Sequence, residues 1–246
     1  MTRDRTLSAV YAHPDDETFS GGGTFAKYTA AGVRCTLYCA TDGDAGKTSG
    51  LAISSRQELG VVRRRELNAA AAILGFSTPE SAGHPDGGLS AMDQQMLIGE
   101  IVRHLRRERP QVVIAFGPEG APNTHPDHRV IARATTAAFF LAANASMFAD
   151  QIRDGFPAHA PARLYYVAWP PPQPDAVLKT LSVPATARID VRAHRAQELA
   201  AWHAHVSQRA LQQRFDETAA TDDEYFALAA GVPQHAPLVN DLFAGL

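Results

Sequence analysis

Short apolar runs alternate along this chain with helix-length amphipathic stretches. Residues 7–12 (LSAVYA) are apolar and end at a His-Pro-Asp-Asp string, which predicts a buried strand delivering polar groups at its C-terminal end. Residues 20–31 predict a helix opened by Gly21, Gly22 and Gly23 and closed by Gly32, and residues 33–40 a second strand. A polar, Gly-rich stretch over 41–55 is long for a compact domain, which marks it as mobile or functional. Helices are predicted over 58–74, stopping at Gly75, and over 93–108, with a turn cluster at 83–90 between them. Residues 111–116 (QVVIAF) form a further strand, followed by a polar segment at 119–128 and a helix at 129–143. Beyond 150 the pattern loosens to a strand at 164–169, a proline-rich loop at 170–174 and a long helix at 191–215. Strands alternating with helices imply right-handed crossovers, so the fold class is α/β, a three-layer, mostly parallel sheet with helices on both faces and a C-terminal appendage. In such a sheet ligands bind outside the carboxyl ends of the strands.

Composition narrows the function classes. A chain of 246 residues can bury roughly 70–75% of its unfolded surface, so it needs no disulfides to hold a core. With 23 basic against 26 acidic residues it has no global attraction for nucleic acid or anionic membrane. No apolar run of 18 residues and no leader pattern occurs, so neither membrane insertion nor export is expected. Cys35 and Cys39 lie inside an apolar run and read as buried thiols of a cytoplasmic protein. Ten His beside two Cys confine any metal to imidazole and carboxylate ligands.

His-Pro-Asp occurs three times, at residues 13–15, 84–86 and 125–127, where composition alone predicts about 0.04 copies. The first and third copies sit just past predicted strand ends. In the first, His13-Pro14-Asp15-Asp16-Glu17, adjacent carboxylates in a tight turn would raise one another's pKa unless a cation sits among them. The third, His125-Pro126-Asp127-His128, adds two imidazoles and a carboxylate. One His and one Asp from the first turn and one His from the other make the three N/O ligands of a catalytic zinc, with the surplus left for acid–base work. Helix capping explains any one of these Asp residues but not both clusters together. The middle copy follows no clear strand and is open to reading as a plain turn, and His104, His159, His194 and His235 are isolated.

The strings at 12–17 and 125–128, the glycines Gly21 to Gly23, the spacing Arg63, Glu66, Ala70, Leu74-Gly75, the Pro85-Asp86-Gly87 turn and His205-Val206-Ser207-Gln208 together resemble the LmbE-like (PIG-L) family of zinc-dependent de-N-acetylases over about residues 7 to 210. The resemblance implies a single Rossmann-like deacetylase domain over residues 1–246. It implies that His13, Asp16 and His128 bind Zn2+ or another divalent transition metal, and that Asp15 is the general base. His125 would be the electrophile or general acid, cationic near neutrality because Asp127 holds its ring, and Arg63 and Asp86 would contact the sugar. The implied substrate is a small-molecule amino sugar conjugate of the N-acetylglucosamine type. Oligomeric state is not legible, and a homo-oligomer stays open. The chain departs from the family pattern at Thr41-Asp42-Gly43-Asp44, where acids replace a base, and at Pro122-Asn123-Thr124, which offers no tyrosine to an oxyanion.

Other classes fit less well. The consecutive glycines lie eight residues beyond the first strand, not in the arrangement that cradles a dinucleotide. A non-catalytic sugar-binding protein would need neither Asp15 nor His125. Hydrolysis of another amide, as by a thiol-conjugate amidase, is the alternative within enzymes.

Overall fold

The computed structural model describes residues 5–120, 123–170, 183–219 and 222–246. Pro122 and residues 171–174 of the expected proline-rich loop lie outside them. At its centre is β1 (Thr6–Tyr11), buried along its whole length and flanked by parallel β2 (Arg34–Thr41) on one side and parallel β4 (Val112–Ala115) on the other. A strand covered on both faces and both edges has to be nearly all apolar, as LSAVYA is. The Ser8 hydroxyl is satisfied by His104 at 2.7 Å, whose other ring nitrogen lies 2.6 Å from Glu80. His104 is thus a buried core residue, and Ser8 is fully buried, out of reach of any substrate.

The full strand order is β3-β2-β1-β4-β5-β7-β6, with β3 at Glu80–His84, β5 at Arg163–Ala168, β6 at Ala187–Asp190 and β7 at Asp223–Gly231. The first five are parallel, and β7 and β6 are added antiparallel. The chain runs outward from β1 to β3, then returns through α4 (Gln94–Glu108) to β4 on the far side of β1. Right-handed crossovers therefore place α2 (Gly22–Ala30) and α3 (Arg56–Leu74) on one face and α4 and α5 (Pro126–Leu141) on the other. The reversal of strand order between β1 and β4 is a topological switch point, and both His-Pro-Asp strings with strand-end positions flank it.

Helix boundaries follow local chemistry. The Ser55 hydroxyl accepts the Glu58 N–H at 3.1 Å while the Glu58 carboxylate accepts the Ser54 N–H at 2.8 Å, and α3 ends on Gly75 at φ 85°. α5 starts three residues before the expected 129, because Pro126 suits the first helical position and the His125 ring caps the helix. A four-residue helix, α1 (Asp16–Phe19), precedes α2.

Three expectations need correction. His84-Pro85-Asp86 does follow a strand: β3 (ESAGH) lacks the apolar signature because it is an edge strand, half-buried throughout. The C-terminal region is no appendage, since β7 and β6 extend the central sheet. The long helix expected over 191–215 is broken into α7 (Arg195–Ala204), a 3-10 segment (Val206–Leu211) and α8 (Gln212–Ala219). α7 packs on α2 and α3, which puts the 3-10 segment beside the end of β1. Cys35 and Cys39 are buried free thiols. Among the described residues no helix is long and apolar enough to cross a membrane.

Candidate active site

The turns after β1, β3 and β4 converge at the carboxyl edge of the sheet around a cavity of about 330 Å³, lined by His13, Asp15, Asp16, Asp86, His125 and His128 among others. His13 comes from the turn that ends β1. Its Nδ1 lies 3.2 Å from Nε2 of His128 and 3.6 Å from Asp16, whose other oxygen is 3.2 Å from that same His128 nitrogen. Ligands 2.0–2.2 Å from a tetrahedral zinc lie about 3.3–3.6 Å from one another, so the two ring nitrogens and the two oxygens of the Asp16 carboxylate face one another at about ligand spacing. The Asp16 carboxylate is aimed by the Ala12 and His13 N–H groups at 3.2 and 2.8 Å, and the His128 ring stacks on Phe116 at 4.1 Å. His13 Nε2 faces Asp86 at 3.0 Å and Asp127 at 3.3 Å, the outer carboxylate partner a metal-bound imidazole requires. The residues thus fit a divalent metal.

Two other groups, His13 with His125 and His128, and His13 with Asp86 and Asp127, also bring potential ligand atoms within 4.8 Å of one another. The set with Asp16 is the better one. The second group uses the outer nitrogen of His13, and His125 already uses Nδ1 as the cap of α5, accepting the Asp127 N–H at 3.2 Å.

That cap also corrects the expected role of Asp127. Its carboxylate does not hold the His125 ring. It faces His13 and accepts the Gly87 and Leu89 N–H groups at 2.7 and 3.2 Å. Burial and the neighbouring His13 and His128 push the His125 pKa down, and a ring whose Nδ1 accepts a hydrogen bond is neutral with its proton on Nε2. His125 is therefore a neutral donor rather than a standing cation.

Asp15 is the strained residue of the site, at φ 107° and ψ −24°. Asp is among the few residues that tolerate such angles, and the surroundings must enforce them. Its carboxylate lies 3.0 Å from the Arg63 guanidinium, which also donates to the carbonyls of Pro14 and of Gly43, the latter at 2.9 Å. Arg63 is only 3% exposed, so the residue expected to contact the sugar spends its donors on the Asp15 turn. A Cβ on Gly43 or Gly46 would lie within 2.5 Å of that guanidinium, which is why the 41–55 loop needs glycine there. Burial pushes the Asp15 pKa up to about 6, against the pull of Arg63. Asp16 goes the other way: burial alone would raise it, but His128 and His13 hold it well below the usual carboxylate range. His13 is raised, because its bonds to Asp127, Asp16 and Asp86 outweigh burial. Three carboxylates around one imidazole form a site that demands positive charge.

These directions predict a pH signature for the metal-free protein. His13, raised, contributes stability that is complete below its unfolded value of 6.5 and is lost as pH climbs through its folded value. Asp16, Asp86 and Asp127, lowered, contribute stability present above 3.8 and lost only on acidification, so they do not offset it. The apo melting temperature should fall as pH rises above about 6.5, whereas bound metal, which replaces the proton, should remove that fall. Thermal melts with and without metal check this, and an apo curve flat over that range contradicts it.

The structure also brings in residues with no assigned role in the sequence. Asn123, Phe19, Lys47, Gln208 and Leu211 line the cavity, and Glu17 and His205 sit behind Asp15. The His205-Val206-Ser207-Gln208 string was the available signal for the last group. The acids at 42 and 44 do not face this cavity as their position suggested: Asp42 pairs with Arg64 and Asp44 with Arg56 beside a neighbouring depression, and the loop presents Ala45, Gly46 and Lys47 instead.

A Rossmann-like α/β sheet with a cluster of His and Asp side chains at its switch point defines the class. Residues 8–139 match the PIG-L family, described as GlcNAc-PI de-N-acetylase, and the chain belongs to that family. It is 30% identical over 294 aligned residues, 99% of each chain, to the 1D-myo-inositol 2-acetamido-2-deoxy-alpha-D-glucopyranoside deacetylase of Rhodococcus jostii strain RHA1. It is 32% identical over 184 residues, 68% of this chain and 61% of the relative, to the mycothiol S-conjugate amidase of Streptomyces coelicolor. In fold it is similar to the N,N'-diacetylchitobiose deacetylase from Pyrococcus horikoshii, with TM-score 0.73 and 21% identity over 92% of this chain and 84% of that one.

Proposed function

We propose that this protein is a zinc-dependent deacetylase that hydrolyses the acetamido group of an N-acetylglucosamine-type conjugate to acetate and a free amine. The observation that carries this reading is the one cavity that His13, Asp15, Asp16, His125 and His128 line together, which sets a candidate base and a candidate donor beside the proposed metal ligands. The full-length similarity to a deacetylase of an inositol-linked acetamido sugar supports the substrate class. The cavity, at the lower end of small-molecule sites, suits one sugar ring.

Zinc held by His13 Nδ1, Asp16 and His128 Nε2 would supply Lewis acidity toward water and the acetamido carbonyl. Asp15, aimed by Arg63 and with a pKa near 6, takes the proton of the attacking water and is acidic enough afterwards to return it to the leaving nitrogen. His125 donates its Nε2 proton as a hydrogen bond to the carbonyl oxygen as negative charge develops there, a contribution that in comparable sites is worth about 3–4 kcal/mol. Asp127 acts through His13, whose Nε2 proton it shares with Asp86, and keeps Nδ1 free for the metal. Asp86 and Arg63, which both line the cavity, are the groups left to meet the sugar hydroxyls.

The test is acetate release from a panel of N-acetylglucosamine conjugates (inositol, malate, chitin-type disaccharide), with metal content measured on the same sample. Release from at least one conjugate is expected. Cleavage confined to thiol-conjugate amides would favour the amidase reading, and binding of the panel without turnover would favour a sugar-binding protein.

A further inference from the structure

Behind the cavity lies a second layer of buried polar groups, Glu17 and His205, that do not themselves line the pocket. Glu17 is fully buried and His205 only 1% exposed, and the two come from segments 188 residues apart. Glu17 Oε2 accepts the backbone N–H of Asp15 at 3.0 Å. Its other oxygen accepts the Thr18 hydroxyl at 2.9 Å and lies 2.7 Å from His205 Nε2. Among the described residues His205 Nδ1 has no hydrogen-bond partner, so the ring's polar bonding there is with Glu17.

A buried carboxylate–imidazole pair is a poor source of net stability, because desolvating both partners offsets their attraction. Its geometry suggests another use. Asp15 stands at φ 107°, a conformation that persists only when its surroundings over-determine it. Arg63 fixes its side chain, and the Glu17 carboxylate, an acceptor held from the far side by His205, fixes its backbone N–H. His205 is itself anchored. Ser207, two residues on, donates both N–H and hydroxyl to Glu66 of α3 at 2.8 and 2.6 Å. Gln208 clamps Lys47 of the pocket loop through both its backbone groups.

We infer that His205 is a positioning residue for Asp15, acting through Glu17, so that the C-terminal segment, although outside the cavity at residue 205, sets the angle of the general base. This rests on the deacetylase reading for its catalytic consequence, but its structural content is independent of it.

The experiment compares His205→Phe, which keeps a ring beside Trp202 but removes the donor, with His205→Gln, whose amide nitrogen can reach the position of Nε2. Metal stoichiometry, KM and kcat are measured on loaded enzyme. Hydrogen–deuterium exchange of the peptide carrying residues 13–19 is followed on the apo protein. The Phe variant should bind metal and keep KM within about threefold, lose about 10–100-fold in kcat, as a displaced reacting group does, and exchange the turn faster. The Gln variant should recover most of that loss. If the Phe variant does not fold, His205→Asn, too short to reach Glu17, replaces it with the same expectation. Because His205 acts through Glu17, the double variant with Glu17→Gln should be no slower than the slower single variant. A Phe variant with wild-type kcat and exchange, a loss the Gln variant does not repair, or losses that multiply in the double variant would each overturn the inference. Wild-type protein that releases no acetate counts against the deacetylase reading alone, and the exchange rates then still decide the role of His205.

Discussion

Asp15→Asn should leave the fold and the metal site in place and lower kcat by about 10²–10⁴-fold, the range a general base contributes. Asn is isosteric and, like Asp, tolerates the positive φ found at this position, so the strained turn does not have to relax. Its amide oxygen can still accept from Arg63, and none of the metal-facing atoms of His13, Asp16 or His128 is touched. What is lost is the capacity to take a proton from water and give it to the departing nitrogen. KM should therefore change little. In the wild type the acid limb of kcat/KM should fall at or below the value near 6 that burial confers on Asp15, since a neighbouring dication draws a carboxylate down. A variant with a rate near wild type, or one that loses metal along with activity, would remove Asp15 from the base role.

Removal of the metal should have the second large effect. Chelator-treated protein is expected to lose acetate release to background and to regain it with zinc, and Asp16→Asn should reproduce the loss without rescue. The reasoning is electrostatic. Asp16 is the one carboxylate whose two oxygens serve both ligand imidazoles, at 3.6 and 3.2 Å, and those imidazoles hold it ionised despite burial. An amide there offers a weaker neutral ligand and leaves His13 and His128 facing each other across 3.2 Å without an anion. Metal analysis separates this from a folding defect, because Asp16→Asn should stay folded while its bound zinc falls well below one equivalent. Activity indifferent to chelation would defeat the metal-dependent mechanism.

How much of this was legible beforehand follows from which residues carry their reasons locally. The apolar runs of β1, β2, β4 and β5 are buried on both faces, so each announces itself without reference to the rest of the chain. β3 and β7 are less apolar, with only half-buried or alternating positions, and their strand character comes from partners distant in sequence. The same divide separates the site residues. His13, Asp15, Asp16, His125, Asp127 and His128 sit in two short strings whose improbable composition exposes them. Asp86 stood in a turn with no strand signal before it, and only the pairing of β3 with β2 brings it within 3.0 Å of His13.

By itself the sequence determined the fold class, the two clusters of imidazole and carboxylate, and the exclusion of thiolate chemistry, because periodicity, residue type and spacing are local properties. Tertiary structure alone decided the division of labour within those clusters. Asp127 turned from the His125 ring to His13 because the first turn of α5 spends its backbone N–H on that ring as a cap. Arg63 reached Asp15 because the glycines at 43 and 46 leave room for its guanidinium behind the turn. Glu17 and His205 met at all only because α7 packs back onto α2 and α3. Which of several equivalent donors faces which acceptor depends on distances between segments far apart in the chain, and those are set by packing.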